Sequence, residues 1–208
     1  MSDLRIETLV LGMLETNCYL LTNSRTRAVV VIDPADEARR IVERIEKRSL
    51  KPEAILLTHG HFDHIGAVSA LRRRFPVPVL ASAPEEEILL DTEKNLSAFY
   101  SGSLTIQADR LLADQEELQL AGFQIRVLHT PGHTAGSVCY YLPQEGILFS
   151  GDTLFRGSVG RTDFPTGSMG RLHESLHATL FSLPAGTMVY PGHGEETDIG
   201  YERRYNPY

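Results

Sequence analysis

Seven histidine and aspartate residues in this 208-residue chain have the side chains and the spacing to bind metal ions. Each follows a short apolar segment: four lie in THGHFDH, one in HTPGH, one in LFSGD and one in YPGH. They are His59, His61, Asp63, His64, His133, Asp152 and His193. Imidazoles and carboxylates suit zinc, iron or manganese, and seven exceed the three or four ligands that one tetrahedral zinc ion uses. The pattern therefore predicts two cations in one pocket at a sheet edge.

The order of these residues indicates how two cations would share them. Side chains alternate in direction along an extended or turn segment, so His64 faces away from the ligands before it. The simplest partition gives His59, His61 and His133 to one metal, Asp63, His64 and His193 to the other, and makes Asp152 the bridge. Two such metals lower the pKa of a shared water and polarise a carbonyl or phosphoryl oxygen, which predicts a hydrolase. Scattered structural histidines are the weaker interpretation, because these groups are costly to bury without a cation.

Two further motifs contain residues of metal-site type. Asp33 ends the apolar segment AVVVID, and we expect it to orient a ligand histidine, with helix capping as the alternative. The segment HESLH at residues 173–177 matches the zinc-protease pattern H-E-x-x-H. On a helical wheel, the two histidines flank a leucine stripe and Glu174 points away from it. No third ligand follows the motif, so we interpret it as part of a helix surface.

The composition favours a cytoplasmic protein that binds neither nucleic acid nor membranes. The formal net charge of −7 argues against general electrostatic binding of nucleic acid, and the densest basic run, Arg72 to Arg74, suits the end of a helix. No apolar run approaches the roughly 20 residues of a membrane helix, and we see no signal peptide. Cys18 and Cys139 lie in apolar surroundings and are predicted to be free, buried thiols.

Apolar strands alternate with amphipathic helices along the chain, which predicts an α/β layered fold. The expected strands are 28–33, 54–58, 76–82, 123–129, 137–143 paired with 146–152, and 188–192. The expected helices are 35–48 with Asp36 as its cap, one with Ile65, Val68 and Leu71 on one face, one opened by a Ser82–Glu85 capping box, and 171–183 with a leucine stripe.

The segment THGHFDHIGA, together with the three downstream ligands, resembles the metallo-β-lactamase superfamily, whose hallmark is H-x-H-x-D-H. The resemblance covers nearly the whole chain and implies a four-layer αββα sandwich formed by a single domain over residues 1–208. It places a dinuclear site at one edge of the paired sheets. The implied cofactors are two divalent metal ions, zinc foremost, with iron or a mixed zinc and iron pair as alternatives.

The segments GDTLFRGSVGRTDFP, TDIGYERRYNPY and GMLETNCYL resemble the small glyoxalase II-like branch of that superfamily. Glyoxalase II enzymes hydrolyse glutathione thioesters such as S-lactoylglutathione, so the resemblance implies a small thioester substrate and Asp63 as the catalytic residue that orients a hydroxide. The expected substrate contacts are Arg161, Tyr201, Arg203 and Arg204, with a buried ion pair between Arg161 and Asp163 as the alternative. The chain departs from the full enzymes in reading SVGRTDF instead of a basic residue after a G-C-G turn, and we expect no separate C-terminal glutathione-binding helical domain.

The segment GRTDF also resembles the persulfide dioxygenases, which share the fold but hold one iron with two histidines and an aspartate. Such a site suits oxygenation, and here it would use Asp152, His133 and one histidine of the first cluster. Because HGHFDHIG resembles the hydrolases more closely, thioester hydrolysis is the main hypothesis and dioxygenation the alternative. A nuclease or phosphodiesterase of the same fold is a weaker hypothesis, since this acidic chain lacks basic arms.

Overall fold

Two six-stranded sheets form the centre of the protein in the computed structural model, which describes residues 3–100 and 102–208. The first sheet follows chain order: β1 (Leu4–Leu11), β2 (Thr16–Asn23), β3 (Ala28–Ile32), β4 (Lys51–Leu56), β5 (Val79–Ser82) and β6 (Arg110–Leu112). The second sheet contains β7 (Glu117–Leu120), β8 (Phe123–His129), β9 (Val138–Leu142), β10 (Ile147–Gly151), β13 (Met188–Pro191) and β14 (Thr197–Asp198), in the order β14-β13-β10-β9-β8-β7. A short ribbon pairs β11 (Leu154–Phe155) with β12 (Ser158–Val159).

The helices lie between these strands in the sequence. They are α1 (Ala38–Lys47), α2 (Phe62–Ile65), α3 (Val68–Arg74), α4 (Glu86–Leu90), α5 (Ser97–Tyr100), α6 (Met169–Glu174) and α7 (Ile199–Tyr205). After α6 the chain continues through one wider helical turn, Ser175–Thr179, and one tighter turn, Leu180–Ser182. The predicted helix over 171–183 is therefore one helical segment whose pitch changes along its length.

Side chains alternate between two cores in each sheet, and this alternation produces four layers. In β3, Val29 and Val31 pack in a cluster with residues of α1 and α3, whereas Val30 and Ile32 pack between the two sheets. In β9, Tyr140 packs between the sheets, and its neighbours pack against the leucine stripe of α6 and the helical turns after it. The predicted αββα sandwich is confirmed, because each sheet covers one helix layer and both sheets share a central core.

Tertiary contacts overturn three local predictions. Asp36 does not cap α1: Glu37, with a φ of 48°, occupies the N-cap position, and the Asp36 carboxylate accepts from the Glu37 amide at 2.6 Å. Ser82 forms no capping box, because its hydroxyl donates to the Gly136 carbonyl instead. The predicted helix over Ile65 to Leu71 breaks into α2 and α3, since the Ala67 amide donates to the Pro34 carbonyl at 2.9 Å rather than to the preceding helical turn.

Three other expectations concern the surface and the thiols. Arg72 and Arg74 at the end of α3 form exposed ion pairs with acidic side chains, as a solvated basic run would. Cys18 and Cys139 are buried and free, as predicted. Within residues 3–100 and 102–208, no helix has both the length and the apolar character needed to cross a lipid bilayer.

Candidate metal centre

Strand ends from both sheets deliver the seven predicted ligands to one edge of the sandwich. The first four lie in the loop after β4 and in α2, and the other three follow β8, β10 and β13. These three strands run in the same direction, since β10 is parallel to β13 and both β8 and β10 are antiparallel to β9. The Val138 amide donates to the Thr58 carbonyl at 2.9 Å, so the end of β4 meets the second sheet at this edge.

Close backbone approaches hold the ligand-bearing loops together. Gly151 has a φ of +48°, and a Cβ there would lie only 2.3 Å from Thr58 Oγ1, so glycine allows the end of β10 to reach the first ligand loop. On the other side of the site, the Asn17 amide donates to the Gly192 carbonyl at 2.8 Å, next to His193. These backbone contacts hold the loops together independently of the ligand side chains.

The potential ligand atoms form three overlapping groups, in each of which they lie within 4.8 Å of one another. The groups are His59, His61 and His133; His59, His64 and Asp152; and Asp63, His64 and His193. Asp152 lies between the outer groups, with Oδ2 3.6 Å from His133 Nε2 and Oδ1 3.3 Å from His64 Nε2. The structure therefore brings all seven predicted ligands into one cluster, with a carboxylate between the two outer triads.

Two backbone carbonyls set the tautomers of His133 and His193. His133 Nδ1 lies 2.7 Å from the Arg161 carbonyl, and His193 Nδ1 lies 3.0 Å from the Leu14 carbonyl. Because a carbonyl oxygen can only accept, each ring donates from Nδ1. In the neutral ring, Nε2 then keeps its lone pair for the cluster.

Asp33 and Thr58 orient the rings of His64 and His59, which contact the cluster through Nε2. Asp33 Oδ2 lies 3.0 Å from His64 Nδ1 and accepts the Thr58 hydroxyl at 2.6 Å, while the Thr58 amide donates to Oδ1 at 2.8 Å. The hydroxyl can then accept from His59 Nδ1, 3.1 Å away. Asp33 has an uncommon φ of 48° where it holds this network. It thus contacts a predicted ligand and does not cap α1.

Several ligand atoms are buried without a hydrogen-bond partner among the described residues. They are Nε2 of His59 and His64, and Oδ1 of Asp152. His61 instead directs Nδ1 towards His133 Nε2, 2.9 Å away. Leaving one buried polar atom unpaired costs about 1–3 kcal/mol, so three in one cluster would destabilise the metal-free protein. Cations would use these lone pairs, and a donor set of imidazoles and carboxylates suits zinc or iron. The residues present therefore fit two metal ions.

The electrostatics of the cluster shift the pKa values of its histidines in opposite directions. Burial lowers the pKa of His61 to about 3, and the neighbouring His133 ring contributes to the shift. Burial alone would lower the pKa of His193, but the carboxylates of Asp152 and Asp63 outweigh it and raise that pKa to about 9. Metals bind neutral imidazole and ionised carboxylate, so a cation would replace the proton on His193.

Glu85 is a buried residue of the site that the sequence pattern assigned to a helix cap. Its side chain is 1% exposed, its Oε1 accepts the Gly60 amide at 2.7 Å, and its Oε2 accepts the Thr134 hydroxyl at 2.8 Å. It therefore ties the loop containing His59 and His61 to the loop containing His133. Burial raises the pKa of this carboxyl to about 7, against the opposing effect of its hydrogen bonds. Nothing in the run PEEEILL indicates that Glu85, and not one of the two glutamates that follow it, supports the metal site.

A cavity of about 420 Å³ opens over the cluster and is lined by five of the predicted ligands and by Arg161. The Arg161 guanidinium lies 4.0 Å over the Phe164 ring and forms two hydrogen bonds with Asp163, at 2.6 and 2.7 Å. The expected ion pair is thus present, but the expectation that it is buried is wrong, since the two side chains are 58% and 66% exposed. Arg161 is therefore available to a molecule in the cavity.

The tail residues expected to contact the substrate lie on α7, outside the lining of this cavity. Tyr201 lies near the Arg156 guanidinium, which is 5.9 Å from its ring centroid. Arg203 donates to the Phe181 carbonyl at 3.4 Å, and Arg204 lies 5.2 Å from the Tyr205 ring. The structure does not bring these side chains to the ligand cluster.

The HESLH motif forms no three-residue metal group within the described part of the chain. His173 and His177 are both exposed, with ring centroids 4.2 Å apart, whereas Leu176 is buried. The interpretation of this motif as a helix surface is confirmed.

Comparison with known proteins agrees with this geometry. The profile of the Metallo-beta-lactamase superfamily matches residues 11–193. The probable metallo-hydrolase YqgX of Bacillus subtilis is 39% identical over 95% of this chain and 93% of its own. The hydroxyacylglutathione hydrolase GloC of Haemophilus influenzae is 36% identical over 99% of this chain and 98% of its own.

Solved structures of similar proteins have the same fold. BLEG-1, a B3 metallo-beta-lactamase, has a TM-score of 0.92 and 42% identity over 98% of both chains. TTHA1623 in a di-iron-bound form has a TM-score of 0.85 and 37% identity over 97% of this chain and 98% of its own. ETHE1 from Myxococcus xanthus has a TM-score of 0.83 and 32% identity over 98% of this chain and 83% of its own. This chain therefore belongs to the metallo-β-lactamase superfamily, and it is a homologue of metal-dependent hydrolases.

Proposed function

We propose that this protein is a metal-dependent thioester hydrolase of the glyoxalase II type, acting on S-lactoylglutathione or a related thioester. One observation carries the proposal: two ligand triads with Asp152 between them form the floor of a cavity of about 420 Å³. The similarity to GloC over nearly the whole chain supports the thioester as substrate. We propose zinc as the metal, with iron or a mixed pair as alternatives, since TTHA1623 binds two irons.

The protein's own residues would position the reacting groups. Two bound cations would make a water molecule nucleophilic near neutral pH and polarise the thioester carbonyl. Asp63 Oδ2 accepts the Thr16 hydroxyl at 3.0 Å and lies 3.3 Å from His193 Nε2, so this carboxylate is held as an acceptor that can orient the water. Arg161 lies on the wall, where it can meet an anionic end of the thiol. A thiolate leaves without a strong acid, because thiols ionise near neutral pH.

The proposal is tested with purified protein whose metal content has been measured. S-lactoylglutathione should be hydrolysed, and Asp63→Ala and Asp152→Ala should abolish turnover and reduce the bound metal from two ions per chain. Asp3→Ala is the matched control, because the Asp3 carboxylate forms an exposed ion pair with Arg25 at 3.4 Å and lies outside the cavity. Thioester turnover that survives both site variants would refute the assignment.

Persulfide dioxygenation is the second candidate function. Its supporting observation is that Asp152 Oδ2 lies 3.6 Å from His133 Nε2 and that His59 shares a ligand group with each of them, since two histidines and one carboxylate suit a single non-haem iron. Glutathione persulfide, offered in the same experiment, separates the two reactions. Oxygen uptake with one iron per chain and no thioester hydrolysis would replace the first proposal with the second. A β-lactam belongs in the same panel because of the similarity to BLEG-1.

We also propose that the enzyme works in the cytoplasm as one domain over residues 1–208. Both cysteines are free, which suits a reducing compartment. The two sheets share one central core, which supports a single folding unit. A chromosomal tag followed by fractionation tests the location.

A further inference from the structure

The cavity wall is apolar once the ligand cluster is set aside. Its apolar lining includes Phe62, Leu96, Tyr100, Phe155, Val159 and Phe164. The rings of Phe62 and Tyr100 stack, with centroids 5.0 Å apart and planes 8° from parallel. Such a wall favours an apolar group, because contact removes apolar surface from water on both sides.

Leu96 is the strongest sign that this wall serves a ligand. Its φ is 67°, which is uncommon for a bulky side chain and free of strain for glycine. Its side chain is 6% exposed, yet it belongs to none of the three hydrophobic cores formed by the described residues. It lines the cavity instead. The leucine at this unfavourable backbone position is therefore buried beside the cavity, outside the three core clusters.

The charge of the cavity wall also favours an apolar group over a charged one. Apart from the ligand histidines, Arg161 is the one cationic side chain among the described residues of the lining. Its guanidinium is paired with Asp163 through two hydrogen bonds, so the pair is neutral overall. A glutathionyl group carries two carboxylates and one ammonium group, and Arg161 could meet only one of these charges, by exchanging Asp163 for a carboxylate. The charged thiol portion is better solvated at the cavity mouth.

We propose that the cavity selects thioesters by an apolar acyl group, branched aliphatic or aromatic, which packs against Leu96 and the Phe62–Tyr100 pair. The thiol portion extends past Arg161 towards solvent. This inference rests on the proposed thioester hydrolase and names its substrate class. Water adds to the carbonyl carbon, the C–S bond breaks, and the products are a carboxylate, a thiol and one proton. No other reactant is needed.

The experiment compares two substrates that share glutathione as the thiol, S-phenylacetylglutathione and S-lactoylglutathione. After correction for their rates of alkaline hydrolysis, kcat/KM should favour the phenylacetyl substrate by roughly 10-fold or more, the scale of apolar discrimination in a pocket. Leu96→Gly and Leu96→Asn both tolerate a positive φ and remove the apolar side chain. Each should lower kcat/KM for the phenylacetyl substrate roughly 10-fold and for the lactoyl substrate by less than about threefold.

Gln115→Gly is the matched control for backbone strain. Gln115 has a φ of 60°, is exposed and lies outside the cavity, so its replacement should leave the substrate ratio unchanged. A wild-type preference for the lactoyl substrate, or an unchanged ratio in both Leu96 variants, overturns the inference while thioester hydrolysis stands. If neither thioester is cleaved, the proposed function fails and the inference fails with it.

Discussion

Replacing Glu85 with glutamine should remove a pH dependence from the stability of the protein. The Glu85 carboxyl is 1% exposed, and burial raises its pKa from 4.5 to about 7. Between these values the folded protein retains a proton that the unfolded chain releases, so the free energy of unfolding falls as the pH rises. From pH 5 to pH 8 this loss is about 2–3 kcal/mol, since one pKa unit corresponds to about 1.4 kcal/mol. Glutamine does not titrate, so the Glu85→Gln variant should not show this decrease in the free energy of unfolding.

Urea unfolding of the metal-free wild type and of Glu85→Gln, in steps from pH 5 to pH 8, measures this effect. The free energy of unfolding of the variant minus that of the wild type should rise by about 2–3 kcal/mol over the interval. Glu86→Gln, at the next and more exposed position, is the control and should show a much smaller change. A difference for Glu85→Gln that stays constant within about 0.5 kcal/mol would refute the reasoning.

The remaining predictions concern the loops and the metals. Glu85→Ala leaves two buried donors unpaired and should lower the free energy of unfolding by about 2–5 kcal/mol in urea titrations, so a loss below about 1 kcal/mol would contradict it. Asp33→Asn should weaken zinc binding about 10–100-fold in chelator competition, because an amide NH2 facing His64 Nδ1 disfavours the tautomer that presents Nε2; unchanged affinity would argue against this role. Gly132→Ala, whose Cβ would lie 2.4 Å from the backbone of α6, should cost about 2 kcal/mol or more, whereas Gly146→Ala, with φ +66° and open space, should cost only about 1 kcal/mol. A chelator should lower the melting temperature, since ions that bind only the folded state stabilise it, and an unchanged melting temperature would speak against metals in the cluster.

Much of the fold was predictable because its determinants are local. The strand predicted over residues 28–33 is observed as Ala28–Ile32, a continuous apolar run of the kind that a strand buried on both faces requires. The pairing of 137–143 with 146–152 follows from two apolar runs joined by a tight turn, and it is observed between β9 and β10. The break between α2 and α3 was not predictable, because the Pro34 carbonyl that interrupts it lies more than 30 residues away.

The ligand cluster was predictable for a similar reason, since most of its members lie within a few residues of one another and directly after apolar strands. The sequence alone therefore determined the chemical types at the site, the strand ends that carry them and the superfamily resemblance. It also left the roles of Asp33 and Arg161 open between two alternatives. Those alternatives depended on which groups meet in three dimensions.

Only the tertiary structure decided which residues support the cluster and shape the cavity. Glu85 meets Gly60 and Thr134 across 25 and 49 residues of chain, and His64 meets Asp33 across 31. Leu96 was missed as well, because its significance lies in a positive φ and in its position on the cavity wall. A sequence pattern records the spacing of neighbours along the chain, whereas the partner of a buried carboxylate and the wall that a leucine completes depend on packing between distant segments.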